Sequence, residues 1–509
     1  MKIRITLALF ITGTGSLFGQ FGSPAGSGTS AVQIPLSGRT TQSGAVGTTQ
    51  SPIAGATTSV NTINPAIQVS GPYSGSASST AGKPFSGKLS LKEAVDRGLE
   101  FNLGTRGFTA AMRQAHGQTL VSHSALTPNL FGTLSDTVQQ NNLAAQGFHI
   151  TAPIPGFSFP TVVGPFNYMD LRLRLTQTVL DYAALNNYRS SMETLHANEF
   201  FARDARDLVV LGVGGAYLQA LAARARVIAA RAQLETANIL FQQNGEQRSA
   251  GLIAQIDVNR SQVQALTQQQ RTVSLENDLA KQKISLARLI GLPPNDHYDL
   301  TDDIPFSAPP ALTEEDAVRQ SLAQRADIKG AEAQIRASER TRAAAFAERR
   351  PTVSFNADYG VIGQTPFQSH GTFSVTGTLR VPIWQGRRTE GDIEQADAAL
   401  QLRKAELEDL KSRVESEVRN AFLDMQAATS QVDVARRNLD VTKETLDLTR
   451  QRFEAGITNS LEVSQAQAAV AAAELDVINS IFAHNVAKLS LARTQGSAAD
   501  SLQQFLQTR

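Results

Sequence analysis

The 509-residue sequence predicts a chain that is part membrane β and part long α-helix. The architecture expected is a trimeric 12-stranded barrel, four strands from each chain, continued by a long α-helical coiled-coil tunnel. Three observations predict it. The chain repeats itself from Leu89 onward; each copy holds two period-two segments of barrel-strand length; and each pair of segments leads into an unbroken run of helical heptads.

Ahead of the repeats lie two segments of different character. Residues 1–20 open with Lys2 and Arg4, run apolar from Ile5 to Ile11 and fade into small residues. That is the make-up of a secretory signal peptide, too short for a mature membrane helix. From Phe21 to Gly87 the chain is Gly, Ser, Thr and Pro with only Arg39 and Lys83 charged, so residues 21–88 are expected to be flexible. No other segment approaches the roughly 18 consecutive apolar residues of a membrane helix.

The repeat then organises the rest. Ala94-Val95 returns as Ala317-Val318 and Pro128 as Pro351, at a separation of 223 residues. Further on the separation falls to 204 or 205, pairing Leu175 with Leu379, Ala250-Gly251 with Ala455-Gly456, Ile256-Asp257-Val258 with Leu461-Glu462-Val463, and Gly291 with Gly496. The copies are therefore 89–300 and 301–496, with a tail at 497–509. The surplus of the first copy falls in Phe148 to Asn167, rich in Pro, Gly and Phe, where a loop absorbs an insertion.

Four strands are expected, at about 129–139, 168–180, 352–361 and 372–384. Leu171, Leu173 and Leu175 alternate with Arg172, Arg174 and Thr176, and Val353, Phe355, Ala357, Tyr359 and Val361 with Thr352, Ser354, Asn356 and Asp358. Such alternation suits strands with one face in lipid and one in water, and a soluble half-buried sheet fits it equally well. The helices decide between them. From about Ala183 to Arg248 and Thr389 to Glu454, heptads run without an internal proline. Val418, Met425, Val432, Leu439, Leu446 and Phe453 interleave with Ala421, Ala428, Ala435, Thr442 and Thr449, and the first copy matches with Val213, Ala220, Val227, Leu234 and Phe241. Small residues at alternate seam positions let a neighbouring helix come close. The stripes Ile256, Val263, Leu266, Val273, Ala280, Ile284 and Leu461, Ala468, Ala471, Leu475, Ile478, Phe482, Leu489 supply the returning helices. Each long helix is roughly 100 Å, some three times the hydrocarbon thickness of a bilayer.

Four strands cannot close a barrel, and open edges are not tolerated in lipid. Two copies would give eight strands with a filled interior; three give twelve and room for a lumen. The arginines Arg172, Arg174 and Arg380 on polar strand faces favour the wet version, with a barrel lumen biased toward anions; solvated charge on a polar face is the other reading. Trp384 and Tyr182, where strands give way to helices, fit an interfacial aromatic belt.

Four motifs stand in order along the two copies: Leu89-Ser90-Leu91-Lys92-Glu93-Ala94-Val95 with Asn102, Arg325-Ala326-Asp327-Ile328-Lys329-Gly330-Ala331-Glu332, Val381-Pro382-Ile383-Trp384-Gln385-Gly386-Arg387-Arg388, and Arg452-Phe453-Glu454-Ala455-Gly456-Ile457 through Leu461-Glu462-Val463. Through them the chain, between about Leu89 and Gly496, resembles the TolC family of outer-membrane efflux proteins. The resemblance implies a homotrimer in the cell outer membrane with a large periplasmic extension. It would be the channel component of a tripartite efflux or type I secretion system, a passive exit duct docking to a periplasmic adaptor (membrane fusion) protein and an inner-membrane pump. The alternative is a secreted periplasmic coiled-coil scaffold or adaptor with no barrel.

Functional residues are expected at the periplasmic turns. Gly251 and Leu252, with Gly456 and Ile457, follow the long helices; they read either as ordinary left-handed helix caps or, as the resemblance implies, as the ring that meets the adaptor. For the neighbouring aperture, the resemblance places the family's first Asp at Asp257, its Tyr at Phe453, its Arg at Thr458 and its acidic rings at Glu462 and Gln465. The usual Asp–Tyr and Asp–Arg links cannot form with these residues, so closure must rest on other contacts. Asp257 and Glu462 also read as helix N-terminal charge favoured by the macrodipole.

Other classes find no support in the residues. Lys plus Arg number 47 against 46 Asp plus Glu, leaving no charge excess for nucleic acid. The absence of cysteine excludes disulfides, thiolate metal sites, a catalytic Cys and a lipid-modified N-terminal Cys. His116, His123, His149, His196, His297, His370 and His484 fall in no ligand spacing, so no metal site is expected. Gly212-Val213-Gly214-Gly215 lies inside a heptad rather than after a strand, which points to close packing and not to a phosphate loop. No cofactor and no catalytic constellation are expected.

Overall fold

A computed structural model describes residues 45–52, 63–77, 85, 87–143, 145, 160–293, 297–303, 306–307, 312–455, 457–496 and 498–499. The expected signal peptide at 1–20 lies outside them, as does most of the 497–509 tail. In chain order the elements are β1 (Val46–Pro52), β2 (Ile63–Val69), β3 (Lys88–Leu89), α1 (Leu91–Phe101), α2 (Leu103–Ser124), β4 (Asn129–Asn142), β5 (Val162–Leu180), α3 (Tyr182–Ser249) and α4 (Gln255–Ile290). The second copy follows with β6 (Asp299–Leu300), α5 (Glu314–Gln324), α6 (Ala326–Ala347), β7 (Thr352–Gly363), β8 (His370–Arg380), α7 (Arg388–Glu454) and α8 (Ser460–Thr494).

Local chemistry sets the boundaries. Ser90 accepts the Glu93 N–H at the start of α1, Asn102 accepts the Gly104 N–H at the start of α2, and Asp181 accepts the Ala184 N–H at the start of α3. Thr313 does the same for α5. The sheet β4-β5-β7-β8 is antiparallel throughout, which leaves β4 and β8 as edges. The last strand stops at Arg380 rather than continuing to 384. Pro382 has no N–H for the ladder, and Ile383 and Trp384 stand clear, with Trp384 86% exposed. Tyr182 faces the Arg350 guanidinium at 4.8 Å.

The helices form a layer in the order α4, α3, α8, α7. α3 packs on α4 and α8, and α7 packs on α8, while α6 lies against both α3 and α7. α3 and α7, of 68 and 67 residues, bury the alternating seam: Val213, Ala220, Val227 and Ala230 in one, Val418, Ala421, Met425, Ala428 and Val432 in the other. By length and composition α3 and α8 each contain a stretch apolar enough to cross a membrane, which differs from the sequence expectation. In α3 most of that stretch is buried in the bundle, so its apolarity serves packing. The returning stripe also behaves unexpectedly in α4. Ile256, Val263, Leu266, Val273 and Ile284 are all exposed; the buried residues are Ser261, Ala265, Gln268 and Thr272, whose Oγ1 donates to the Ala230 carbonyl, and then Leu286, Ala287, Leu289 and Ile290 at the C-terminal end.

The segment expected to be flexible at 21–88 needs correction over part of its length. β1 and β2 pair from Val46↔Val69 to Pro52↔Ile63, and the hairpin docks on α3, with Thr48 Oγ1 3.2 Å from Ser490 Oγ of α8. The Gly-rich run of α3 is the reason. A Cβ on Gly215 would overlap the Ile67 side chain, and one on Gly212 would touch Val69 and Val46. Glycine opens a niche that scattered apolar residues fill, with Val46 and Tyr73 buried. The third glycine, Gly214, admits Leu489 of α8.

Candidate functional site

At the end of α3 the chain reverses through a left-handed glycine. Gly251 has φ +78°, its N–H donates to the Arg248 carbonyl at 3.0 Å, and the Leu252 N–H donates to the Gln247 carbonyl at 2.9 Å. This pair of bonds satisfies carbonyls that the helix end would leave open. At the end of α7 the Ile457 N–H donates to the Arg452 carbonyl at 2.9 Å, the same closure at the same repeat position; Gly456 itself lies outside the described residues. Such a cap ordinarily folds its apolar residue back on the helix. Here Leu252 is 75% and Ile457 68% exposed, and one turn further Ile256 and Leu461 are exposed as well. Each hairpin end thus presents an apolar pair to solvent.

The aperture candidates separate by hairpin. Asp257 sits in the first turn of α4 with its Oδ1 3.5 Å from Arg260 Nη1. Glu462, in the first turn of α8, lies 3.7 Å from Arg452 Nη1 at the end of α7. Each candidate carboxylate therefore has an arginine of its own hairpin beside it. Phe453 is half-buried in the last turn of α7, Thr458 is half-buried with its hydroxyl oxygen lacking a hydrogen-bond partner, and Gln465 is exposed. Arg260 and Arg452 are the residues that sequence reasoning missed. The i,i+3 spacing of Asp257 and Arg260 on a helix face was a readable signal; the Arg452–Glu462 pair crosses a turn and was not.

The sheet register sorts the strand residues. Leu171, Leu173 and Leu175 share one face with Leu130, Leu134, Val353, Ala357, Tyr359, Phe373 and Val375. The opposite face holds Thr133, Ser135, Asp170, Arg172, Arg174, Asp358, Thr372, Ser374 and Arg380. The three arginines expected to make this face basic are present on it, and Asp170 and Asp358 stand among them. Arg172 donates through Nε to Asp170 at 3.2 Å, through Nη1 to Asp358, and through Nη2 to Thr372 Oγ1 at 3.4 Å. Its charge is met within the sheet, whereas Arg174 and Arg380 are exposed.

Buried titratable groups gather on α8 and around it. The His484 ring is fully buried against Phe306, at 5.0 Å between centroids, and the Arg436 guanidinium lies over the Phe306 ring, 4.0 Å from its centroid. Burial, with the nearby charges of Lys488 and Arg436, pushes His484 down to about 4, while Asp433 acts weakly the other way. Lys488 Nζ donates to the Ser307 carbonyl at 2.8 Å, anchoring the segment between the repeats. Asp204 of α3 pairs with Arg493 at 2.6 Å, yet burial raises it to about 6. These contacts hold the bundle together. Among the described residues no group of three His, Cys, Asp or Glu side chains is placed to hold a metal ion.

The family model described as outer membrane efflux protein matches residues 107–292 and 317–497, one span in each repeat. Among curated relatives, the pyoverdine export outer membrane protein OpmQ of Pseudomonas putida is 23% identical over 323 residues, 63% of this chain and 65% of that protein. Its counterpart in Pseudomonas aeruginosa is 25% identical over 251 residues, 48% of this chain and 51% of that protein. The matches thus span less than two thirds of the length of each of these relatives. Solved structures align over more of the chain. The Campylobacter jejuni CmeC outer membrane channel has a TM-score of 0.68 at 16% identity, covering 80% of this chain and 86% of that one. The open state of the Neisseria gonorrhoeae MtrE outer membrane channel has a TM-score of 0.67 at 15% identity, covering 83% and 95%. At such identities the likeness is one of fold.

Proposed function

The chain belongs to the outer membrane efflux protein family, and from that premise we propose that it is the outer-membrane exit duct of a tripartite export system, working as a homotrimer. The observation that carries the oligomer is that sheet and helix layer each end unfinished. β4 and β8 are open sheet edges. The outer helices α4 and α7 bear exposed apolar stripes, Val263, Leu266 and Val273 on one and Val434, Val441 and Leu448 on the other. Each copy therefore offers its neighbour one strand edge and one stripe at each flank, a head-to-tail arrangement that closes by rotation. Twelve strands would enclose a lumen lined by the polar face, with the leucine face in lipid. Nothing in the duct consumes energy; a pump in the inner membrane drives and selects the cargo.

The hairpin ends supply the docking surface for a periplasmic adaptor. Six such ends per trimer would present the exposed pairs Leu252/Ile256 and Ile457/Leu461, apolar surface that a monomeric end has no reason to show. Beside them Asp257, Phe453, Thr458, Glu462 and Gln465 form the aperture, held by pairs within each hairpin in place of the family's cross-links. Since the chain has no cysteine, Leu252→Cys and Ile457→Cys each give a single crosslinking site. Both are expected to capture one periplasmic protein from whole cells, alongside a heat-modifiable trimer in outer-membrane fractions. Monomeric migration, or a periplasmic location of the chain, refutes the duct. Gly251→Trp forces a bulky side chain into a left-handed backbone but into open space; export is expected to fail while trimer yield is unchanged.

A further inference from the structure

The charged residues on the polar face of the sheet are not equivalent. Arg172 stands opposite Gly360 of β7. A Cβ on Gly360 would come to 3.1 Å from Arg172 Cβ, 3.2 Å from its Cγ and 2.9 Å from the Leu171 carbonyl oxygen. The bare glycine lets the arginine lie down across β7, where it meets Asp358, and extend to Thr372 of β8 at 3.4 Å, while Nε holds Asp170 on its own strand at 3.2 Å. One side chain of the first repeat so ties together both strands of the second, in the planar multi-donor geometry that guanidinium provides and ammonium lacks. Two carboxylates around one guanidinium leave this cluster with surplus negative charge. Arg174, two pairs along and opposite Asp358 in the register, is exposed. Arg380 is exposed too but lies at the helical end of the sheet, six residues along β8 from Ser374, the partner of Asp358, or about 20 Å away.

We propose that the polar face divides its arginines between two tasks: Arg172 staples the two strand pairs into one sheet, and Arg174 sets the ion preference of the pore at that level. The proposal rests on the reading of this face as the lumen of a closed barrel. Field within a low-dielectric pore depends on charges that face the permeating ion, so an arginine neutralised in the wall contributes little and an exposed one contributes fully.

Purified trimers in planar bilayers test both halves. Arg174→Gln is expected to shift the reversal potential toward cations relative to the unsubstituted channel and to leave the trimer's heat-dissociation temperature unchanged. Arg172→Lys and Gly360→Ala, which remove the fork or the space for it, are expected to lower that temperature. A reversal potential unmoved by Arg174→Gln overturns the selectivity half, and a dissociation temperature unmoved by both other variants overturns the staple. The lumen reading has its own control in the cysteine-free background. Arg174→Cys should be labelled by a membrane-impermeant charged thiol reagent, with loss of current, and Leu173→Cys should not. Labelling at Leu173→Cys in place of Arg174→Cys overturns the lumen assignment and, with it, the proposal.

Discussion

The returning helices α4 and α8 occupy the same place in the two repeats, yet they live in opposite environments. In α8 the eight residues Phe482–Leu489 are all buried, two full turns with no solvent face; in α4 the corresponding stretch, residues 277–284, contains no buried residue. Position in the layer explains this. α8 lies between α3 and α7, while α4 lies at the border of the layer, packed mainly on α3 and touching α1. Duplication supplied two similar hairpins, and joining them in one chain made an inner helix of one and an edge of the other. An edge helix that keeps an apolar stripe is a helix that expects a neighbour.

The comparison can be broken at either helix. Leu489→Asp puts an unpaired charge into the most enclosed part of α8, against Gly214, and is expected to cost several kcal/mol, about 3–5. Loss of folded protein in membrane fractions and of helical circular dichroism would register it. Val273→Asp is on the exposed stripe of α4. It should leave the helical signal of the single chain within about 0.5 kcal/mol of the parent and abolish the trimer on unheated gels; an intact trimer would mean that this stripe meets no second copy.

Acid probes the enclosed side of α8 more gently. The unfolded chain binds a proton at His484 near pH 6.5 and the folded chain only near 4, so stability falls as pH drops through that window. Asp204 works in the other direction, because its folded value of about 6 lies above the ordinary 3.8, and stability rises as pH falls from about 6 toward 4. Replacing His484 by Phe leaves Asp204 alone, and unfolding measured at pH 7 and pH 5 should show the variant gaining stability on acidification relative to the parent. The smallest effects belong to the hairpin ends. Arg260→Gln and Arg452→Gln each remove a half-exposed ion pair worth about 0.2–1 kcal/mol. Closed-state conductance should rise in both, and divalent block should respond to Glu462→Gln; block unaltered by that change would leave Glu462 as a helix-start charge alone.

How much of this was legible follows from where each signal resides. α3 and α7 were readable to within a residue or two, because an unbroken heptad needs nothing outside itself. Strand faces were readable for the same reason, since alternation is local. The α4 stripe announced the returning helix, but a heptad shows that a helix has a partner and not whose it is. The β1–β2 hairpin was hidden in Gly, Ser and Thr, since its partner surface, Gly212 to Gly215, lies some 150 residues on. The polar strand face was read from its arginines; only the register brought Asp358 of the second repeat to Arg172 of the first. At the turns, spacing indicated the caps, while the outward direction of Leu252 and Ile457 required coordinates.

The bond between Thr48 and Ser490 joins positions 442 residues apart, and this sets a timetable for the chain. The niche for β1–β2 has its floor in α3 and one wall in α8, so it does not exist until nearly the whole polypeptide has emerged and folded. The earliest ordered strands are consequently among the last to be fastened, and contacts of such long sequence separation are slow to form. Seating of the β1–β2 hairpin therefore requires α3 and α8 to be in place first, which makes it a late step in the folding of a protomer.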